Sequence, residues 1–306
     1  YFQQAVAIAE PLGENRRAAS IKMSIGGIHM RRLNYRGAEV KFRELLEFAK
    51  NSTDELLLGR ACGNLALIAE IKGDLSTALA RHQEAFSHFD KVGHQEFRAQ
   101  ALSLIGTTLV LLERTDEARP YYDRALTIAR TASAQRMVAT VLGNMVSLAM
   151  ALNELNQAET YGLESLAMAR QANYTALVIS NLINLEYVYR QQRKLDLGRS
   201  CIREALDISI ENDSYDALTL IVVTGLSSDV LGKTALAYEL FDYAIKHPDL
   251  HQGNFNDEDR ARIAAMRVEL GEQAEQIEAR NKGRDINELI VLMKEELADV
   301  LPFSQL

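Results

Sequence analysis

Ala38, Ala78, Ala118, Ala158 and Gly198 stand forty residues apart, and Ala237 follows one residue short of the next step. Seven positions after each come Leu45, Ala85, Ala125, Ser165, Ala205 and Ala244, followed directly by an apolar side chain: Leu46, Phe86, Leu126, Leu166, Leu206 and Ile245. A period of this length with small residues at fixed points marks stacked supersecondary units, none able to bury its apolar face alone. A chain of 306 residues would ordinarily suggest two domains. A repeat array grows instead by neighbour contacts around one continuous core, so one domain is expected.

The unit from Glu55 to Val92 shows how such a repeat folds. Over Arg60 to Lys72 the apolar residues Leu65, Ile68, Ala69 and Ile71 follow helical spacing and stop at Gly73-Asp74. There Gly can take positive φ and Asp can cap the next helix. This predicts a helix A. A helix B is predicted from about Leu75 to Val92, with Ala78 and Ala85 where the two backbones approach and Gly93 as the stop. The pattern returns with turns at Glu113-Arg114, Asn153-Glu154, Arg193-Lys194 and Gly232-Lys233. The four prolines lie outside clear mid-helix positions, and no strand alternation stands out.

These residues resemble tetratricopeptide repeats: Leu65-Ala66 or Ile105-Gly106 opening the first helix, the Gly-Asp turn, then Ala118, Tyr122 and Ala125 on the second. The resemblance covers most of residues 1–250. It departs from the common form in its period of forty rather than about thirty-four, and in showing the terminal proline only at Pro248. Forty-residue versions resemble those of kinesin light chains, bacterial peptide-sensing regulators and the regulatory halves of large signalling ATPases. The implied fold is all-α: a right-handed α-solenoid of stacked antiparallel helix pairs with C-terminal capping helices.

The expected organisation is an array over 1–250, about six full repeats plus a partial first one, and caps over 251–306. Tyr1 to Val6 falls in register with Lys41 to Leu46, so the chain is expected to be a fragment that begins inside a helix B whose helix A is absent. After Pro248 the period fails. Asn256-Asp257 can cap a helix to about Ala279, and Asp285 can start another through Val300, with Ile286, Leu289, Ile290, Met293 and Leu297 as its apolar stripe. A polar-outside helix pair of this kind covers the apolar end of an array.

Charge and motif exclude several functions. A net charge of −8 repels phosphate backbones and acidic lipid. The cluster Arg16, Arg17, Arg31, Arg32 and Arg36 reads as solvated helix face, so no nucleic-acid or membrane partner is expected. Cys62 and Cys201 fall on different repeats and are expected to be buried thiols of a cytoplasmic protein. Gly232-Lys233-Thr234 ends like a phosphate loop, but Ser227 stands where that loop needs Gly, and the register makes Gly232 a turn residue. His247 and His251 are separated by Pro248, and His82 holds the packed position of Phe42 and Tyr122. Asp257-Glu258-Asp259 suits a helix start better than a calcium loop. No Cys/His/acid trio follows from register, so no catalytic residue, metal or cofactor is expected and the chain reads as non-enzymatic.

What rises above the scaffold is a set of asparagines. Asn64, Asn144 and Asn184 each lie fourteen residues before the small residue of helix B, on the helix that lines the concave surface when pairs stack right-handed. An amide offers donor and acceptor together, which suits the backbone of an extended peptide. In the resembled family, Asn at this point commonly does that. Neighbours one turn away are polar or aromatic: Arg60, Gln100, Thr140 and Ser180 before, Thr107, Ser147, Tyr187 and Gln191 after. Leu67, Ile71 and Leu111 make the first half of this groove greasier. Asparagines that only bridge helices are the competing reading.

The expected function is therefore a protein or peptide interaction module within a larger bacterial regulator. The alternative is a metabolite-sensing array that controls an attached effector, and pairing of array ends into homo-oligomers is a further partner to consider.

Overall fold

The computed structural model describes residues 15–32, 34–212, 217–247, 255 and 257–305. The in-register start at Tyr1, the proline at 248, His251 and the cap at Asn256 lie outside the described residues. All described regular structure is helical. The chain divides into two compact units, Tyr1–Leu152 and Asn153–Leu306.

The first unit holds α1 (Asn15–Arg31), α2 (Tyr35–Ser52), α3 (Glu55–Ile71), α4 (Leu75–Lys91), α5 (Gln95–Leu111), α6 (Thr115–Thr131) and α7 (Gln135–Ala151). Sequence neighbours pack as antiparallel pairs, α3 on α4 and α5 on α6 most extensively. Ala38, Ala78, Ala85, Ala118 and Ala125 are buried at these contacts, as their spacing predicts. Small faces large across each pair. A Cβ added at Gly26 would lie 2.4 Å from the Phe42 ring, and one at Gly106 would lie 2.9 Å from the Tyr122 ring. Burial pushes the Tyr122 hydroxyl up to about 12, although Thr107 bonds to it.

The links set the period. Thr53, Gly73, Gly93, Glu113, Ser133, Asn153, Asn173 and Arg193 all have positive φ, one every twenty residues. At Gly73 the link N–H donates to Glu70 O and the next N–H, of Asp74, donates to Ala69 O, the bonding that closes a helix on a left-handed residue. The same pair of bonds recurs at 93, 113, 133, 173 and 193. Asn34, Asp54 and Asp74 then cap the next helix with side-chain oxygens, on the N–H groups of Gly37, Leu57 and Thr77.

Two features of this unit differ from the expectation. Helix A of the Glu55–Val92 repeat starts at Glu55, not near Arg60, because Asp54 caps it. Pro120 lies inside α6. Its ring removes the bond to Asp116 O, a loss that is tolerable because this side of the helix faces water.

The second unit holds α8 (Leu155–Gln171), α9 (Thr175–Gln191), α10 (Leu195–Glu211), α11 (Ala217–Val230), α12 (Thr234–Lys246), α13 (Asp257–Leu270), α14 (Glu272–Asn281), α15 (Ile286–Glu296) and a short 3-10 turn, Phe303–Gln305. Gly232, at φ 73, is the link between α11 and α12, which absorbs the Gly-Lys-Thr sequence into the repeat turns. The helix expected from Asn256 to Ala279 is broken at Gly271, whose φ of 52 ends α13 and starts α14. The one expected through Val300 stops at Glu296.

These last helices join the core of α9–α12 through Leu289, Met293 and Leu297, with Ile286 and Ile290 partly buried beside them. Polar contacts reinforce this. Buried Asn281 donates to Glu239 O at 2.9 Å, and Arg199 and Arg203 donate to the terminal carbonyls of Glu296 and Leu297, where the helix dipole is negative.

Candidate functional site

In the first unit the A helices α3 and α5, with the start of α7, line a recess of about 250 Å³. Its wall includes Arg60, Asn64 and Gln100, three of the residues selected from sequence, together with Leu67, Phe97, Leu104 and Arg136. Gly59 and Gly63 keep the α3 wall low. A Cβ at Gly59 would meet the Phe89 ring at 2.5 Å. Arg60 lies over the Phe97 ring, 5.6 Å from its centre, and burial lowers its pKa. The lining holds no carboxylate, and Arg60 stands at its aromatic and apolar wall, a pairing that suits a negative group beside an apolar one.

His82 forms part of the floor and is fully buried, as its packed register position predicts. Its Nε2 stands 3.3 Å from Glu70 Oε1 but without hydrogen-bond geometry, so the ring has no hydrogen bond to any described residue. Glu70 Oε1 instead accepts from Thr108 Oγ1 at 2.5 Å.

The remaining selected residues of this unit are engaged locally. Asn64 Nδ2 donates to Arg60 O at 2.8 Å, and Asn144 Nδ2 donates to Ser103 Oγ at 3.0 Å. Thr140 donates to Arg136 O, Thr107 shares a bond with the Tyr122 hydroxyl, and Ser147 is exposed. Each amide keeps its carbonyl oxygen and one further N–H for other partners. Ile71 and Leu111 are exposed at the ends of α3 and α5, outside the lining of the recess.

In the second unit, Ser180, Tyr187 and Gln191 are exposed along α9 and Asn184 is half-buried between them. Arg190 stacks on the Tyr187 ring at 5.0 Å. Behind this face lies a group that sequence reading missed: Glu186, 1% exposed, whose Oε1 accepts from Arg190 Nε at 3.1 Å. Burial lifts its carboxyl to about 7 against the opposing pull of Arg190.

A larger groove of about 620 Å³ lies between α2 and α4 over α3. Its charges largely neutralise one another: Glu39 pairs with Arg43 and Lys72, and Lys50 with Glu47. It therefore offers less to a ligand than the recess does. The absence of a Cys/His/acid trio, expected from register, is also corrected. The α3/α4 hairpin brings Cys62, Glu84 and His88 together.

The tetratricopeptide repeat family model matches residues 57–131, the span that contains most of this recess. No curated protein matches the chain. Among solved structures, a Rap protein complexed with competence and sporulation factor is similar at a TM-score of 0.69 and 16% identity, covering 93% of this chain and 76% of that one. The apo form of RapI gives 0.63 at 14% identity, over 91% and 99% of the two chains. BtubC (BKLC) from P. vanneervenii gives 0.54 at 20% identity, over 70% and 93%. At these identities the likeness is one of fold: an α-solenoid of tetratricopeptide-type helix pairs.

Proposed function

We propose that this chain, a forty-residue-period tetratricopeptide-repeat array, is a non-enzymatic module that captures a protein or peptide segment, as part of a larger regulatory protein of the bacterial cytoplasm. The observation that carries this reading is the α3/α5/α7 recess. Arg60, an aromatic wall and the amides of Asn64 and Gln100 converge on a volume that fits one or two side chains of an extended chain. The best occupant is a segment with an apolar residue against Phe97, Leu67 and Leu104 and a carboxylate near Arg60. The Rap structure solved with competence and sporulation factor gives the reading a precedent in the same fold. The exposed face of Ser180, Tyr187 and Gln191, with Asn184, is proposed as a second contact surface belonging to the other unit. The array over 1–250 carries recognition in this proposal, and the helices after it serve as its cap.

The test is a random extended-peptide library passed over the chain. A common acidic-apolar pattern, lost in Arg60→Gln/Asn64→Ala, supports the recess as the reader. A pattern lost only in Asn144→Ala/Asn184→Ala moves the site to the asparagine positions. A second reading, a small metabolite acid in the same recess, is favoured by its limited volume. Absence of any enriched peptide, with a thermal shift from small carboxylates that Arg60→Gln abolishes, would replace the first reading with the second.

A further inference from the structure

Cys62 on α3 and Glu84 and His88 on α4 present their ligand atoms within 4.8 Å of one another. They come from two antiparallel helices and stand 22 and 26 positions apart in the chain, so only the hairpin unites them. Glu84 and His88, four apart, share one helix face, with Glu84 Oε1 4.0 Å from His88 Nε2. Cys62 is fully buried beneath them, whereas Glu84 is half-exposed.

We propose that this triad is a binding site for a zinc-class divalent ion, held by Cys62 Sγ, Glu84 Oε1 and His88 Nε2. Thiolate, imidazole and carboxylate together suit a borderline ion such as Zn²⁺. Tetrahedral bonds of about 2.0–2.3 Å put ligand atoms about 3.5 Å apart. Bringing ligand atoms that lie within 4.8 Å of one another to that spacing asks for side-chain adjustments of about 1 Å. The other ring nitrogen of His88, Nδ1, meets the Glu55 carboxylate, which orients the imidazole as a second carboxylate does in histidine metal sites. Arg81 donates to Glu84 Oε2 at 2.7 Å, and both Arg81 and Glu84 also reach the Cys62 thiol, so the ion displaces these contacts at sulfur while Oε2 keeps its guanidinium. Glu84 is half-exposed, so a water would serve as the fourth ligand. On binding, the thiol proton passes to water and the ion links α3 to α4 within the hairpin that carries the recess.

The test uses the whole chain, freed of metal, with Zn²⁺ in competition with a chelator and Co²⁺ as an optical probe. One ion per chain and a sulfur-to-cobalt charge-transfer band are expected. His88→Ala and Cys62→Ser should each weaken Zn²⁺ at least about a hundredfold, and Glu55→Gln about 10–100-fold. Cys201→Ser should change nothing. Should Cys62→Ser fail to fold, His88→Ala and Glu84→Gln, at partly exposed positions, carry the test. Cobalt bound without the sulfur band, or unchanged affinity in His88→Ala, overturns the proposal.

Discussion

Asn144 Nδ2 donates to Ser103 Oγ at 3.0 Å and ties α7 to α5 across forty-one positions. Ser103 is buried, so this amide bridges helices whatever else it binds. Asn144→Ala should cost about 1 kcal/mol, the net value of one such bond, measured by urea unfolding. An unchanged midpoint would show that the bridge contributes nothing and leave the amide wholly to ligand contact.

The small-faces-large rule predicts opposite outcomes for two glycines. At Gly106 a Cβ would press on the Tyr122 ring at 2.9 Å, whereas at Gly27 it meets nothing within 4 Å. Gly106→Ala should destabilise by about 1–3 kcal/mol through overpacking. Gly27→Ala should stabilise by about 1 kcal/mol through helix propensity. Thermal melts of the two variants against wild type check the pair, and equal shifts would refute the packing argument.

Several links carry left-handed residues that are not glycine. Glu113, at φ 61, is exposed and holds its Cβ in a region that costs it energy. Glu113→Gly should therefore raise stability by about 0.5–1 kcal/mol, and Asn153→Gly by less, because Asn tolerates this region better. A loss of stability at Glu113 would mean that glycine's extra freedom in the unfolded chain outweighs the relieved strain.

Glu186 makes stability depend on pH. Its carboxyl titrates near 7 in the folded chain against 4.5 when unfolded, so between those values the folded state holds a proton that the unfolded state has released. Stability contributed by the neutral form is complete at low pH, falls as pH rises through this window and is flat above it. The loss amounts to roughly 3 kcal/mol at about 1.4 kcal/mol per unit. Glu186→Gln should flatten this slope and melt higher than wild type at pH 8. Identical melting curves at pH 5 and pH 8 for wild type would contradict it.

The alternation of helix and link was legible because small residues must recur wherever two backbones approach, and Ala78, Ala85 and Ala118 do. Helix ends were less so. Asp54 caps α3 more than a turn ahead of Arg60, and Gly271 splits a helix whose sequence otherwise reads as continuous. Of the recess, Arg60, Asn64 and Gln100 could be chosen because helix A faces inward in register. Phe97 and Arg136 could not, since their approach depends on how far each helix is rotated against its neighbour. Cys62, Glu84 and His88 are separated by a turn, and pairing them required folding the α3/α4 hairpin in register rather than scanning linear spacing. Glu186 was hidden by its composition: a charged residue in a polar-looking stretch gives no signal of burial.

Helices of seventeen residues joined by three-residue links also limit how such a chain can change length. One inserted residue turns every following helical side chain by about 100° and carries a buried face into water. A copied block of forty returns each face and each left-handed residue to its place. Insertions and deletions that survive here should therefore be whole hairpins or lie in the links. Among the described links the spacing slips between Arg193 and Gly232, thirty-nine residues apart, where α11 and α12 already pack against the non-repeating helices α13–α15. There the chain no longer has to match another copy of itself.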